Sequence, residues 1–445
     1  MVKIGLFGLG TVGSGVAQIL HDSANQIQQE YDQTPIIKQV VVRNVEKYRQ
    51  QLPDWADFGL SNQPDDILTD PEINVVIETM GTIDAAESII RQALEADKSV
   101  ITANKDLMAL RGPALIKLAQ EHGQALYYEA AVAGGIPILN TLSTSFAADQ
   151  VTGVAGIING TSNFILTQMT DLANMDFSYE RALKLAQEKG FAESDPTNDV
   201  DGLDAAYKLM ILADFAFGVQ PKMDQVSLTG IRQVTNEQMK EIHLISQLPG
   251  LKSSKSGYQL KLLGLARLVE GQSAISLEVA PYLVSQELSL AAIRNENNAV
   301  LIESRFGDQT TLAGPGAGQL PTANAVVADL MRYLDYRNTP LLGKPFNRKR
   351  SDLGVVTAGK YAQVARFLTF ELANNEGNRQ QLLTALADNQ IELVGQDEIL
   401  NSSDQVLRFY VHTQPITATQ VEALKAELET HQQIQLKSEY KIFNA

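Results

Sequence analysis

Along the first 130 residues, short apolar runs alternate with longer stretches whose apolar residues recur at three-and-four spacing. Residues 2–7, 38–42, 75–78, 99–102 and 126–132 read as strands, and 85–96 and 113–121 as amphipathic helices between them. This alternation predicts a parallel, doubly wound α/β sheet. From about 135 to 310 the pattern changes. Helices near 178–189 and 202–217 precede strand-like runs at 259–267, 274–284 and 299–306, as in an α+β domain on a mostly antiparallel sheet. Pro321-Thr322 opens a helix to about Leu334, and Thr339-Pro340, Gly343 and Pro345 mark a linker. The remainder reads strand 362–372, helix 378–389, strand 391–400, strand 406–412, helix 419–430 and strand 435–443. That βαββαβ order predicts a ferredoxin-like sandwich.

Composition narrows the function classes. A chain of 445 residues exceeds one ordinary core, so two or three domains are expected. A formal charge of −16 argues against binding a nucleic-acid backbone, and the basic run Arg348-Lys349-Arg350 reads as solvated linker. No apolar stretch approaches the roughly 20 residues of a membrane span. The N-terminus is a strand and glycine turn, not a signal peptide, so a cytoplasmic protein is expected. There is no cysteine, which excludes disulfides, thiolate metal sites and aldehyde dehydrogenases that pass through a thioester. The five histidines (21, 122, 243, 412 and 431) show no ligand spacing, and no zinc site is expected.

Against this background a few motifs carry chemistry. The first strand breaks at Gly8-Leu9-Gly10-Thr11-Val12-Gly13 and continues as a helix. Gly8 permits the sharp turn, Gly10 lets backbone approach a pyrophosphate, Gly13 lets helix pack on strand, and helix amides face the anion. The alternative is a purely structural glycine turn; its place between strand and helix favours a dinucleotide. The second strand ends Val42-Arg43-Asn44 without the acidic residue that binds an NAD ribose, and Arg43 offers a planar cation to a 2′-phosphate, with Lys47 as a helper. NADP(H) is therefore expected as the preferred cofactor, with NAD(H) the alternative.

Asp204 and Lys208 stand four apart on a helix with almost no other polar residue, which favours a functional pair over an exposed ion pair. Upstream, Glu193, Asp195, Asp199 and Asp201 crowd nine residues; an ammonium-bearing substrate or an acidic surface loop would account for them, and the glycine after Asp201 is too early for an EF-hand. Asn104-Lys105 follows the strand ending at Thr102, on the sheet edge where such folds bind ligands. Glu129 is a lone carboxylate in an apolar run ending Gly134-Gly135-Ile136-Pro137. Either it is a hydrogen-bonded structural acid, or a hard monovalent cation sits near it with backbone oxygens around Gly134. The cluster Gly314-Pro315-Gly316-Ala317-Gly318 is either a tight turn or a return of the chain to the cofactor.

Together these motifs resemble the homoserine dehydrogenases, of the long monofunctional type with a C-terminal ACT-like domain, over essentially the full length. The pieces that match are Gly8–Gly13, Asn104-Lys105, Glu129 to Pro137, Asn159-Gly160-Thr161-Ser162-Asn163, Glu193 to Lys208, and Gly314 to Ala323. The resemblance implies a Rossmann-type domain at 1–134, rejoined by 312–335. It also implies a substrate-binding and dimerisation domain at 135–311, a linker at 336–350, and an ACT-like regulatory domain at 351–445. It implies Lys208 as proton donor with Lys105 between nicotinamide and substrate, Asp204 as orienting group, and Glu193, Asp199, Gly160 and Thr161 as substrate contacts. Gly8, Gly10, Thr11, Val12, Gly13, Arg43, Thr79, Lys105 and Gly318 would hold the cofactor. Glu129, with the backbone oxygens of Val132, Gly134 and Ile136, would hold sodium. Two departures stand out: Thr82 follows Gly81 where the family often has a second glycine, and Asn374-Asn375-Glu376-Gly377 replaces the usual Pro-Gly of the ACT-like domain. Threonine feedback and subunit association remain alternative roles for that domain. A homodimer or homotetramer is expected.

Overall fold

The structure, a computed structural model, describes residues 1–170, 177–251, 257–347, 351–400, 405–429 and 433–443. The Arg348-Lys349-Arg350 run and His431 lie outside the described residues. In chain order the N-terminal elements are β1 (Lys3–Phe7), α1 (Thr11–Asp22), α2 (Ala24–Tyr31), β2 (Ile36–Val41), α3 (Val45–Arg49), β3 (Gly59–Ser61) and α4 (Asp65–Leu68). They continue with β4 (Val75–Glu78), α5 (Ile83–Glu95), β5 (Ser99–Thr102), α6 (Lys105–Glu121), β6 (Leu126–Tyr127) and α7 (Ile138–Thr144). Next come β7 (Val151–Ile157), α8 (Gly160–Thr170), α9 (Tyr179–Glu188), α10 (Thr197–Val200), α11 (Leu203–Phe217), β8 (Val226–Leu228) and α12 (Asn236–Ile245). After β9 (Tyr258–Leu268), β10 (Ala274–Ser285), β11 (Asn297–Ser304) and β12 (Asp308–Pro315) the chain forms α13 (Gln319–Tyr336). It ends with β13 (Gly354–Thr357), α14 (Ala358–Tyr361), β14 (Arg366–Ala373), α15 (Glu376–Asp388), β15 (Leu393–Leu400), β16 (Val406–Thr413), α16 (Ala418–Glu429) and β17 (Ile434–Phe443).

The chain divides into two compact units. The first comprises 1–151, 207–223 and 312–351, and the second 152–206, 224–311 and 352–445. The first contains a six-stranded sheet in the order β3-β2-β1-β4-β5-β6, parallel throughout. Strand order reverses between β1 and β4, so a crevice opens beyond their carboxyl ends. The central strands are buried on both faces, which is why β4 and β5 read as unbroken apolar runs.

The second unit is built on a sheet running β12-β11-β7-β9-β10-β17-β14-β16-β15. Most of its pairings are antiparallel, β9 with β7 and β10 and β14 with β16 and β17 among them, but the sheet is mixed, since β8, β13 and β17 all join β10 in parallel. Parallel partners arise because they come from distant stretches of chain, which reach β10 by crossovers rather than hairpins. Phe443 of β17 accordingly sits in one core with Leu263, Tyr282, Val284, Leu290 and Leu301. A second cluster, including Leu368, Phe370, Leu382, Leu407, Phe409 and Leu424, lies between β14–β17 and helices α15 and α16.

Two predicted elements have different bounds for a local reason. The run at 126–132 is a strand only to Tyr127; Tyr128 turns the chain and Glu129–Ala131 forms a 3₁₀ turn. The cause is the Glu129 carboxylate, which accepts the amides of Leu139 and Asn140 at the start of α7. The helix read from Pro113 begins at Lys105, because Asn104 caps it and Pro113 is accommodated inside. Among the described residues no helix is long and apolar enough to cross a membrane.

Candidate functional site

The glycine turn of the first unit has the geometry its sequence demands. Gly8 adopts φ +93°, and a Cβ at Gly13 would lie 2.1 Å from the Gly8 carbonyl oxygen, so neither position admits another residue without movement. Gly10 differs. It is the N-cap of α1 in extended conformation, and a Cβ there would meet nothing within 4 Å. Its glycine therefore answers no need of the fold and leaves room for a ligand at the amide end of a twelve-residue helix. Thr79 supports the turn from behind: its hydroxyl donates to the carbonyls of Phe7 and Gly8 at 3.1 and 3.0 Å. Arg43, two residues beyond β2, is exposed and makes no ion pair among the described residues, while Asn44 caps α3.

The second glycine cluster packs against both α1 and the turn after Glu129. A Cβ on Gly134 would press on Thr322 Oγ1 and the Gly316 carbonyl, and one on Gly15 would meet Ala323 and Gln319 of α13. The Gly135 amide donates to the Pro315 carbonyl at 3.0 Å, and Gln319 Nε2 donates to Ser14 Oγ at 3.0 Å. Gly318, at φ +120°, is the N-cap of α13.

Lys105 is placed by a chain of bonds that begins at a buried acid. Glu78, wholly buried at the end of β4, accepts from Thr102 Oγ1 at 2.6 Å and from the Met80 amide at 2.6 Å. Burial pushes its carboxyl up, against the pull of these hydrogen bonds. Thr102 Oγ1 accepts the Asn104 amide at 3.1 Å, Asn104 Nδ2 donates to the Thr82 carbonyl at 2.8 Å, and Asn104 Oδ1 caps α6. Lys105 is the first residue of that helix, partly exposed, 3.5 Å from the Asp106 carboxylate. Glu78 escapes a sequence reading because it ends an ordinary apolar strand. A lone carboxylate in such a run is the same signal that drew attention to Glu129.

Helix α11 is as apolar as its sequence suggests. Ala205, Ala206 and the segment 209–217 are buried, Asp204 is buried, and Lys208 is half-buried. Within the first unit, α6 and the later part of α11 border one cavity of about 400 Å³. Met108, Pro113 and Ile116 line it from one helix and Met210, Ile211 and Asp214 from the other. Each lysine thus lies one turn before lining residues of a shared cavity, although neither is itself a lining residue.

In the second unit the acidic segment resolves into distinct roles. Asp195 accepts from the amide and hydroxyl of Thr197, and Asp201 forms a two-point pair with Arg232 at 2.7 and 3.1 Å. These two carboxylates already have protein partners, so for them the surface-loop alternative suffices. Glu193 is exposed. Asp199 and Asp204 meet at a single side chain, inside a matched motif, to which the sequence gives no role: Asn159 Nδ2 donates to Asp199 Oδ1 at 2.7 Å and to Asp204 Oδ2 at 2.9 Å. Asn159 Oδ1 accepts the Ser162 amide at 2.8 Å, and Ser162 Oγ donates to the Asp199 carbonyl. The Thr161 hydroxyl donates to the Phe191 carbonyl, and Gly160 lies so close to the Glu296 carbonyl that a Cβ would be 2.7 Å away.

Glu129 is buried, and its two oxygens accept the Leu139 and Asn140 amides at 2.9 and 2.6 Å. Burial outweighs these bonds and the distant charge of Arg332, raising its pKa from 4.5 to about 7. Its amide donates to Asp329 Oδ2, whose own carboxyl burial drives far above the usual range, and Asp329 Oδ1 is buried without a partner. A buried acid held by amides, beside the buried backbone of a glycine turn, offers hard oxygens only. It fits a monovalent cation, not zinc. Among the described residues no group of three or more His, Cys, Asp or Glu side chains could hold a metal.

Comparison with known proteins adds the wider context. The homoserine dehydrogenase NAD-binding domain family matches residues 8–129, and the homoserine dehydrogenase family matches residues 137–331. A homoserine dehydrogenase of Lactococcus lactis is 43% identical over 349 residues, 78% of this chain and 77% of that protein. One from Bacillus subtilis is 36% identical over 89% of each chain. The crystal structure of a homoserine dehydrogenase from Thiobacillus denitrificans, 32% identical, superposes with a TM-score of 0.86 over 100% of this chain and 98% of that one.

Proposed function

The chain belongs to the homoserine dehydrogenase family, an oxidoreductase family that interconverts L-homoserine and L-aspartate 4-semialdehyde with a nicotinamide cofactor, and we propose how its residues divide that work. The observation that carries the reading is the succession of two matched domains, 8–129 and 137–331, on one chain with the motif residues inside them. The reduced nicotinamide, when bound, supplies the hydride. Lys208 Nζ gives a proton to the aldehyde oxygen in the reductive direction and takes it back in the oxidative one. Lys105 Nζ holds the same oxygen by a hydrogen bond and stabilises the negative charge that develops there. Glu193 and Asp199 bind the amino acid's ammonium, Asp204 beside Asp199 orients the bound molecule through the same group, and the α8 amides of Gly160 and Thr161 receive its carboxylate. Loss of NADPH absorbance on adding aspartate 4-semialdehyde tests the activity; no loss would refute it.

For the dinucleotide, the turn Gly8 to Gly13 would bind the pyrophosphate, and Thr11, Val12, Thr79 and Gly318 would complete the cofactor's contacts. Arg43 selects the 2′-phosphate of NADP(H). Arg43→Ala is expected to raise the KM for NADPH about tenfold, the loss of one charge-assisted hydrogen bond, and to leave that for NADH nearly unchanged. Equal effects on both cofactors would overturn the role of Arg43.

Sodium would be held by the Glu129 carboxylate and the carbonyl oxygens of Val132, Gly134 and Ile136. A carboxyl whose folded pKa is raised from 4.5 to about 7 costs stability as pH climbs through that interval, and a bound cation offsets the cost. Replacing a bulky organic cation by sodium is therefore expected to raise the melting temperature at about pH 8 and to have no effect near pH 5, where the acid is neutral. Glu129→Gln should abolish the response. A sodium effect equal at both pH values, or one surviving in the variant, would contradict the site.

The C-terminal segment, with strands in the order β17-β14-β16-β15 and two helices on one side, supports an ACT-like reading. It would serve threonine feedback or the pairing of subunits into a homodimer or homotetramer. A chain without cysteine suits a cytoplasmic setting.

A further inference from the structure

We propose that Asn159 is a positioning residue, holding Asp199 and Asp204 together in the orientation that receives the substrate's ammonium group. The inference rests on the roles given above to those two acids and adds a residue to which none had been given.

The argument begins with what a helix cap requires. Asn159 precedes the first residue of α8, and its Oδ1 accepts the Ser162 amide at 2.8 Å, the third position of that helix. Any of Asn, Asp, Ser or Thr would serve there, since the cap needs only an acceptor oxygen. What distinguishes asparagine is the NH₂ group at the other end of its amide. Both of its hydrogens are committed: one to Asp199 Oδ1 at 2.7 Å and one to Asp204 Oδ2 at 2.9 Å. The side chain is buried, so these bonds form away from competing water.

Two carboxylates brought this close repel each other. A single amide shared between them offsets the repulsion and fixes one oxygen of each acid. The surrounding contacts hold the arrangement still. Ser162 Oγ, one turn along α8, donates to the Asp199 carbonyl at 2.8 Å, so side chain and backbone of Asp199 are both tied to that helix. Asp199 lies in the short helix α10 and Asp204 in the first turn of α11. One amide thus joins the starts of three helices and sets two negative groups side by side before any ligand arrives. An ammonium, with three N–H donors, is the group such a pair would take.

The experiment compares Asn159→Asp and Asn159→Ser with the wild-type full-length enzyme, in homoserine oxidation with NADP⁺. Both replacements keep an acceptor for the Ser162 amide. Aspartate removes both donors and adds a charge; serine has at most one hydrogen to give and adds none. The expected result for each is a KM for homoserine raised roughly 10- to 100-fold, the worth of charge-assisted hydrogen bonds, with kcat and the KM for NADP⁺ changed far less. Mere loss of folded enzyme would do the opposite, lowering kcat while leaving KM as it was. Wild-type KM in Asn159→Ser, or a lowered kcat at unchanged KM in both variants, would overturn the proposal and reduce Asn159 to a helix cap. A wild-type enzyme unable to oxidise homoserine would instead refute the functional reading itself, which keeps the two failures apart.

Discussion

Lys208→Ala is expected to lower the turnover number by roughly 100-fold or more, the usual contribution of general acid–base catalysis, with little change in cofactor affinity. The expectation follows from where the lysine stands. Helix α11 is buried along almost its whole length, and Lys208 is a half-buried basic group on a helix that otherwise serves the core. Alanine is a good helix former and removes no apolar packing of consequence, so α11 should persist. Lys105→Ala, by contrast, removes a hydrogen bond to the reacting oxygen without removing the proton, and its effect should be smaller. Turnover in Lys208→Ala within a few-fold of wild type would transfer the proton-donor role elsewhere, Lys105 being the first candidate. Cofactor titration of the same variant separates a chemical defect from a binding one.

The second large effect lies in the glycine turn, where two neighbouring glycines should fail for opposite reasons. Gly10→Ala places a methyl group in open space, nothing being within 4 Å, and its backbone conformation suits alanine. The fold should therefore keep its melting temperature, while the methyl group stands between the backbone amides and a pyrophosphate. The KM for NADPH is expected to rise roughly 10- to 100-fold, the loss of a hydrogen bond to a charged group. Gly13→Ala drives a Cβ to 2.1 Å from the Gly8 carbonyl oxygen and 2.9 Å from Thr79 Oγ1. Backbone must move, and a destabilisation on the order of 1–3 kcal/mol is expected, visible as a lower melting temperature. Normal cofactor affinity in Gly10→Ala would mean that the pyrophosphate lies elsewhere.

Much of this was legible in the sequence, for reasons that differ from element to element. Strands β4 and β5 are buried on both faces, so their apolar runs end where the strands end, at Glu78 and Thr102. Helix α5 carries one apolar face and reads at its periodicity. Helix α8 did not announce itself, because Thr161 to Thr167 are buried all round and leave no polar face to set a period. Glu129 stands out in its apolar run, but the strand ends two residues earlier, since the carboxylate caps a helix that starts nine residues further on. The parallel pairing of β8, β13 and β17 with β10 joins residues far apart in the chain, and no local pattern records it.

The candidate site was legible as a set of residues and not as a network. Spacing put Asp204 and Lys208 on one helix, and the glycines declared the turn. Charge density in the acidic segment does not say which carboxylates already have protein partners: Arg232 takes Asp201 and Thr197 takes Asp195. The sequence shows no role for Asn159, although it heads a matched motif, or for Glu78, for a common reason. Each acts on residues tens of positions away or across a strand, and a polar side chain at a strand or helix end is ordinary until its partners are seen.

The division of labour is tested most directly by a crystal structure of the enzyme with homoserine and NADP⁺ bound together. The hydroxyl of homoserine should lie within hydrogen-bond distance of Lys208 Nζ and Lys105 Nζ. Its ammonium should lie against Glu193, Asp199 and Asp204, with its terminal carbon facing the nicotinamide ring. A complex in which the two lysines face different cavities, or in which homoserine binds away from Asp199 and Asp204, would contradict the account.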